Sequence, residues 1–305
     1  MSALYDWLAR LAKSGVLPSI FEYPFIARGL IAVLIVAPLL GGISHLVVAR
    51  RLAFLSAALG QAALTGLTIG IVLGEPLNAP YGGIFGFCLF SAVLLVFVKR
   101  HAALPPDTLI GVFLSLTLGL GICLLVAVTK RFNIHQIEAV MFGSLLTVTD
   151  GDLLLLLVLA LAVAGLVAWH YNGLLLDSLN PPLARVAGFS AARLDYLFVV
   201  LLTVAIVVSL KVIGALLVEA LVVVPAAAGR NLARSTRSYL LFSIACALVA
   251  GCGGLYVSTV IEVPSGGAVV LALSAVFFLT LGIRALGRRS VANETASGAS
   301  RAGDG

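Results

Sequence analysis

Val212-Ile-Gly-Ala-Leu-Leu-Val-Glu-Ala-Leu-Val-Val-Val-Pro-Ala-Ala-Ala228 is the most telling stretch of this chain. The run is apolar except for Glu219, is interrupted by Pro225, and is followed by Arg230, Arg234 and Arg237. An apolar run with a basic end reads as a membrane span, because Lys and Arg gather on the cytoplasmic side. A carboxylate at membrane depth is costly, so Glu219 is expected to face a cavity, a partner or a pathway. The pattern recurs along the chain. Of 305 residues, 61% are hydrophobic and 10% charged, and the mean hydropathy is +1.17. A soluble domain carries roughly 25% charged residues, so this chain cannot solvate a globular surface. Its apolar runs are continuous rather than alternating, which selects helices over a barrel.

Each span needs about 20 apolar residues. Spans are read near 29–49, 52–73, 82–98, 108–129, 152–171, 194–213, 214–229, 239–258 and 267–286. The seventh is short and contains Pro225, so it is either a full span or a broken, re-entrant element. The fold class is all-α, a polytopic integral membrane protein of eight or nine transmembrane helices. Residues 1–27 are read as an N-terminal interfacial segment, 28–287 as the transmembrane domain, and 288–305 as a disordered cytoplasmic tail rich in Ala, Gly and Ser. Placing 50–51, 99–107, 172–193, 230–238 and the C-terminus in the cytoplasm puts most Lys and Arg there. The half-apolar stretch 132–151 is expected to lie along the membrane surface.

Several functions are excluded. The net charge of +6 is spread in small clusters between spans, as topology signals are, and does not predict a nucleic-acid partner. Among the lysines only Lys13 precedes a hydroxyl residue, Ser14, and Ala12 stands where a phosphate-binding loop needs Gly. No catalytic residues are assigned, and any ATP must be bound by another chain. Cys88, Cys123, Cys246 and Cys252 fit no zinc spacing and read as small apolar residues. His45, a few residues before Arg50, is either a metal ligand or a hydrogen-bonded packing residue. His135 and Glu138 offer a weak cation contact or plain solvated surface.

One polar loop stands out, Asp177-Ser-Leu-Asn-Pro-Pro-Leu-Ala-Arg-Val-Ala-Gly-Phe189. Pro181 and Pro182 suit the opening of a short helix. Ala184 and Gly188, four apart, would share a face that another protein can approach closely. The other reading is an ordinary loop with a Gly stop.

This loop, Ala49-Arg-Arg-Leu-Ala-Phe-Leu-Ser56 and the run from Val212 to Ala228 resemble the permease subunits of bacterial ABC importers for zinc, manganese and iron, the metal ABC-3 type. Phe142-Gly-Ser-Leu-Leu-Thr-Val-Thr149 and Val263-Pro-Ser-Gly266 also look like family segments. The resemblance implies a homodimeric, all-helical permease of the bacterial inner membrane, similar to type II ABC importers such as the vitamin B12 importer. It implies import of a divalent metal ion by alternating access. An ATP-binding cassette subunit would bind inside and carry the ATP, an extracytoplasmic solute-binding protein would dock outside, and this chain would hold no cofactor. Pro182, Ala184 and Gly188 would belong to the coupling helix that meets the ATPase.

The sequence departs from the family at two places. After the Arg-Arg pair the family usually has an Asp and, four residues on, a His, which suit a divalent ion on one helix face. Here those positions are Ala57 and Gln61. Glu219 stands where the family has a small or hydroxyl residue. The pathway candidates are therefore Glu219, Gln61, Ala57 and His45, with Glu219 and His45 as candidate metal ligands. Glu219 is either a replacement anionic site or a carboxylate paired with Lys211, Arg50 or a polar group across the dimer. The cargo alternatives are a chelated metal or another small solute. A stand-alone proton-coupled transporter, with Glu219 as relay, is the alternative mechanism.

Overall fold

The computed structural model describes residues 24–75, 81–102, 104–129, 149–261 and 263–302. The interfacial segment expected at the N-terminus, the surface stretch expected at 132–151, His135 and Glu138 fall largely or wholly outside them. The described residues form ten helices and no strand. We number them α1 (Pro24–Ala49), α2 (Leu55–Val72), α3 (Tyr81–His101), α4 (Pro106–Thr129), α5 (Asp150–Leu179), α6 (Pro181–Val186), α7 (Ala191–Ile213), α8 (Ala215–Leu232), α9 (Thr236–Ile261) and α10 (Ser265–Ala302).

All but α6 are long and apolar enough to cross a bilayer, which gives nine candidate spans among the described residues. The seventh is not a broken element. α8 runs continuously through Pro225, and what shortens it is Gly214, the single residue between α7 and α8. Gly214 adopts φ +83°, a conformation that costs any residue with a Cβ. Its N–H still donates to the Leu210 carbonyl at 2.8 Å and its carbonyl accepts from Val218. α7 thus ends and α8 begins on the same residue. In α10 the apolar part ends at Leu286, and the helix continues to Ala302 through the stretch read above as a tail.

Ion pairs mark the two ends of the bundle. At one end the buried Arg50 guanidinium reaches Asp177 at 2.9 Å and Asp195 at 3.0 Å. Lys99 and Arg100 approach the same Asp195 at 3.5 and 3.9 Å. The connections after α1, α3 and α5 therefore lie together, as the Lys and Arg distribution predicts. At the opposite end Arg28 meets Asp150 at 3.0 Å, and Lys211 meets Asp152 at 2.7 Å and the Tyr81 hydroxyl. Asp152 also accepts from the Thr149 N–H and closes a capping box at the start of α5.

α1 is the central post. It packs closely on α9, α8 and α5, while α2 packs on α3 and α4. Small residues permit the tightest crossing: a Cβ on Gly66 of α2 would lie 2.6 Å from the Gly83 carbonyl oxygen of α3, too close to exist. Close backbone approach of this kind is how membrane helices gain packing where lipid is as apolar as they are.

Candidate functional site

α2 and α8 place the residues that sequence reading singled out. Ala57 and Gln61, four apart, lie on one face of α2, and both are partly exposed on the edge of the bundle. Gly60, beside Gln61, is where α8 arrives. A Cβ on Gly60 would stand 2.9 Å from Glu219 Oε1 and 3.7 Å from the Ala215 Cβ. The absence of a side chain at Gly60 is what lets the Glu219 carboxylate settle against α2. The Glu219 carboxylate thus sits against the turn of α2 that carries Gln61, 158 positions away in the chain.

Neither polar group there is spent on the fold. The two partners suggested for Glu219 within the chain are engaged elsewhere: Lys211 with Asp152 and Tyr81, Arg50 with Asp177, Asp195 and the Leu174 carbonyl. Glu219 makes no hydrogen bond or ion pair with any described residue. The Gln61 Oε1 is buried and has no hydrogen-bond partner. An orphaned buried acceptor is unusual enough to require an explanation, and a ligand is one. Chemically the locus offers a carboxylate and a neutral amide oxygen, which are hard donors suited to hard cations. Ala57 adds room but no donor. Among the described residues no group of three His, Cys, Asp or Glu is placed to enclose a metal ion.

His45 is elsewhere. It is buried in α1 between Tyr171 of α5 and Tyr239 of α9, with ring centroids at 5.7 and 5.8 Å, and its Nε2 lies 3.2 Å from the Tyr171 hydroxyl. His45 is thus packed between two aromatic rings, away from Glu219.

The loop from Asp177 to Phe189 folds as a short helix. Asn180 caps α6 by accepting from the Leu183 N–H at 3.2 Å, and Pro181 and Pro182 occupy the first two helical positions, where a missing N–H costs nothing. Gly188 ends the turn at φ +85°. Behind it Phe189 donates its N–H to the Ala184 carbonyl at 3.0 Å and lays its ring against Gly173 of α5. The small-residue face expected from spacing does not form. α6 stops at Val186, so Ala184 and Gly188 are not on one helix: Ala184 is fully buried and Gly188 exposed. Two large apolar side chains reach outward, Leu183 at 50% and Val186 at 85% exposure, beside the exposed Arg185. Sequence spacing missed them; their signal was apolar residues inside an otherwise polar loop.

Residues 22–284 match the ABC 3 transport family. The chain is 28% identical to a manganese transport system membrane protein, MntC, of Listeria monocytogenes, over 86% of this chain and 92% of that one. It is 29% identical to a high-affinity zinc uptake system membrane protein, ZnuB, of Haemophilus influenzae, over 85% and 96%. In fold it is similar to a solved structure of PsaBC from Streptococcus pneumoniae in complex with Fab, with TM-score 0.74, 24% identity and coverage of 92% and 95%. A second solved structure, a metal-chelate type ABC transporter described as putative and inward-facing, aligns with TM-score 0.66 and 18% identity, over 83% and 84%. With 263 residues matched in one continuous stretch, from the start of the first span to the end of the last, the chain belongs to the ABC 3 transport family.

Proposed function

We propose that this chain is the membrane permease subunit of an ATP-driven importer for a divalent metal ion, and that the ion passes between α2 and α8 over Glu219 and Gln61. One observation carries the second half: the Glu219 carboxylate lies against Gly60, beside a buried and unpartnered Gln61 Oε1. The metal is supported by the relatives, named for manganese and zinc transport. Glu219 and Gln61 supply oxygen only, which favours manganese over zinc, since zinc prefers His and Cys donors.

In this reading the chain conducts and a partner hydrolyses. α6 presents Leu183 and Val186 to an ATP-binding cassette subunit, and Arg50 ties the end of α5, on which α6 is mounted, to α1 and α7. A change of state in the ATPase then tilts α5 and α7 together. Such coupling requires that α6 bind the two ATPase states unequally. A solute-binding protein delivers the ion at the opposite end, and a second copy of this chain completes the pathway across α2 and α8.

A chelated metal is the second reading. It is favoured by Ala57, which leaves space without a ligand and suits a cargo that brings its own. Membership of an ABC family favours ATP drive over the proton-coupled alternative.

The test is uptake of manganese, zinc, iron and a chelated iron by cells expressing this chain with its ATPase, compared with Glu219→Gln. The proposal expects manganese uptake that falls at least about tenfold in the variant at equal membrane abundance, a difference of 1.4 kcal/mol. Uptake of none of the free ions overturns the free-ion cargo. Unchanged uptake by Glu219→Gln overturns the pathway. Uphill transport by vesicles holding this chain alone overturns the division of labour.

A further inference from the structure

The seam over α1, between α5 and α9, holds two cavities stacked along the membrane normal. The one at the arginine-rich end has a volume of 610 Å³ and is lined by Arg51, Arg230 and Arg234 together with Ser235, Thr236 and Tyr239. The second, 200 Å³, is apolar and lies deeper in the same seam, between Leu39 and Ile43 of α1, Val167 and Ala168 of α5, and Leu240 and Ile244 of α9. The two adjoin at His45: Tyr239 lines the basic cavity, Tyr171 the apolar one, and both rings pack on that imidazole.

The basic cavity is distinct from its neighbour. A 320 Å³ cavity that shares Arg51 with it is also lined by Arg50, Lys99 and Arg100, but there Asp177 and Asp195 supply the opposite charge to Arg50, Lys99 and Arg100. Arg51, Arg230 and Arg234 have no carboxylate within ion-pair distance among the described residues. Arg51 is moreover the one described residue other than Gly with positive φ, +57°, a conformation a side chain adopts only where its surroundings hold it there. The Tyr239 hydroxyl is buried and unpartnered. Uncompensated guanidinium groups and a free hydroxyl make a phosphate-sized anion site. Basic pockets between spans at the cytoplasmic surface recognise lipid headgroups, and the apolar cavity beneath is at the depth of an acyl chain.

We propose that this seam binds one anionic phospholipid of the inner leaflet, its phosphate on Arg51, Arg230 and Arg234 and an acyl chain in the groove beside Ala168. The site does not depend on the cargo or on the pathway at Glu219. Because Leu179, the last residue before the Asn180 cap of α6, also lines the basic cavity, the lipid sits against the base of the coupling helix.

Native mass spectrometry of the full chain in detergent tests this with phosphatidylglycerol, phosphatidylcholine of the same acyl chains, and inorganic phosphate. Phosphatidylglycerol is expected to bind at least about tenfold more tightly than phosphatidylcholine, as a few basic contacts at the membrane surface produce. Arg51→Gln, Arg230→Gln and Arg234→Gln combined remove that preference, and Lys99→Gln, in the neutralised cavity, preserves it. Ala168→Trp, which fills the groove, weakens phosphatidylglycerol and leaves inorganic phosphate unchanged. If the triple variant does not fold, Ala168→Trp decides alone. Equal binding of the two lipids overturns the proposal, as does inorganic phosphate binding as tightly as phosphatidylglycerol. A dimer that Ala168→Trp dissociates makes the seam a subunit interface and overturns it too.

Discussion

Arg50 and Asp177 form an ion pair of 2.9 Å in which both side chains are less than a tenth exposed. Arg50 stands just past the end of α1, and Asp177 three residues before the Asn180 cap of α6. Its other guanidinium nitrogen holds Asp195 of α7, and its plane covers the Phe198 ring at 4.9 Å. One side chain therefore ties together three spans at the point where α6 is mounted. Removing one member of a buried pair strands the other, which costs about 3–5 kcal/mol. Arg50→Met is expected to lower thermal stability in detergent by that order, and Arg50→Met with Asp177→Leu to recover part of it. Asp195 keeps Lys99 and Arg100 in both variants. Equal melting of the single variant and the parent would show that the tie does not hold the spans.

Nothing in the local sequence announces that tie. Arg50 reads as a topology charge, and its partners lie 127 and 145 positions away. The spans themselves are legible because a bilayer demands long, uninterrupted apolar runs, and all nine were found near their observed places. Glu219 is legible for the same reason: a lone carboxylate in such a run is conspicuous. Its seat is not, since Gly60 is one of 31 glycines and only the arrival of α8 distinguishes it. The loop from Asp177 to Phe189 lies in between. Its prolines foretell a short helix, but where α6 stops, and so which side chains point outward, depends on how Phe189 folds back onto Gly173.

Gly60 gives a direct handle on the Glu219 seat. Its missing Cβ would overlap Oε1 at 2.9 Å, closer than a carbon and a carboxylate oxygen tolerate, and Gly60→Val adds two further carbons. The carboxylate must then swing away from α2. We expect metal uptake to fall at least about tenfold with normal membrane abundance, and Gly60→Ala, where a small side-chain shift suffices, to fall less. Full uptake by Gly60→Val would mean that the seat is not on the route.

Ala57 and Gln61 test donor chemistry on the α2 face. Both are partly exposed, so larger side chains have room. Ala57→Asp with Gln61→His places a carboxylate and an imidazole one helical turn apart beside Glu219, a donor set that zinc favours. Zinc affinity of the purified protein is expected to rise at least about tenfold, with manganese gaining less, measured by equilibrium dialysis. Unchanged zinc affinity would show that the two positions and Glu219 do not converge on one ion.

Val186 separates docking from folding. At 85% exposure it contributes almost nothing to the core, so Val186→Asp is expected to leave thermal stability within about 0.5 kcal/mol of the parent. In the proposed docking, however, its surface is what α6 offers a partner, and an apolar contact replaced by a desolvated carboxylate is strongly unfavourable. Co-purification with the ATP-binding cassette subunit should therefore drop while the protein still inserts and melts normally. Gly188→Ala acts differently: nothing obstructs the new Cβ, but φ +85° penalises it by about 1–2 kcal/mol, so it is expected to weaken coupling by loosening the turn rather than by altering the docking surface. If Val186→Asp retains the ATPase subunit as the parent does, the docking contact lies off α6, and the exposed Leu183 and Val186 serve some other surface.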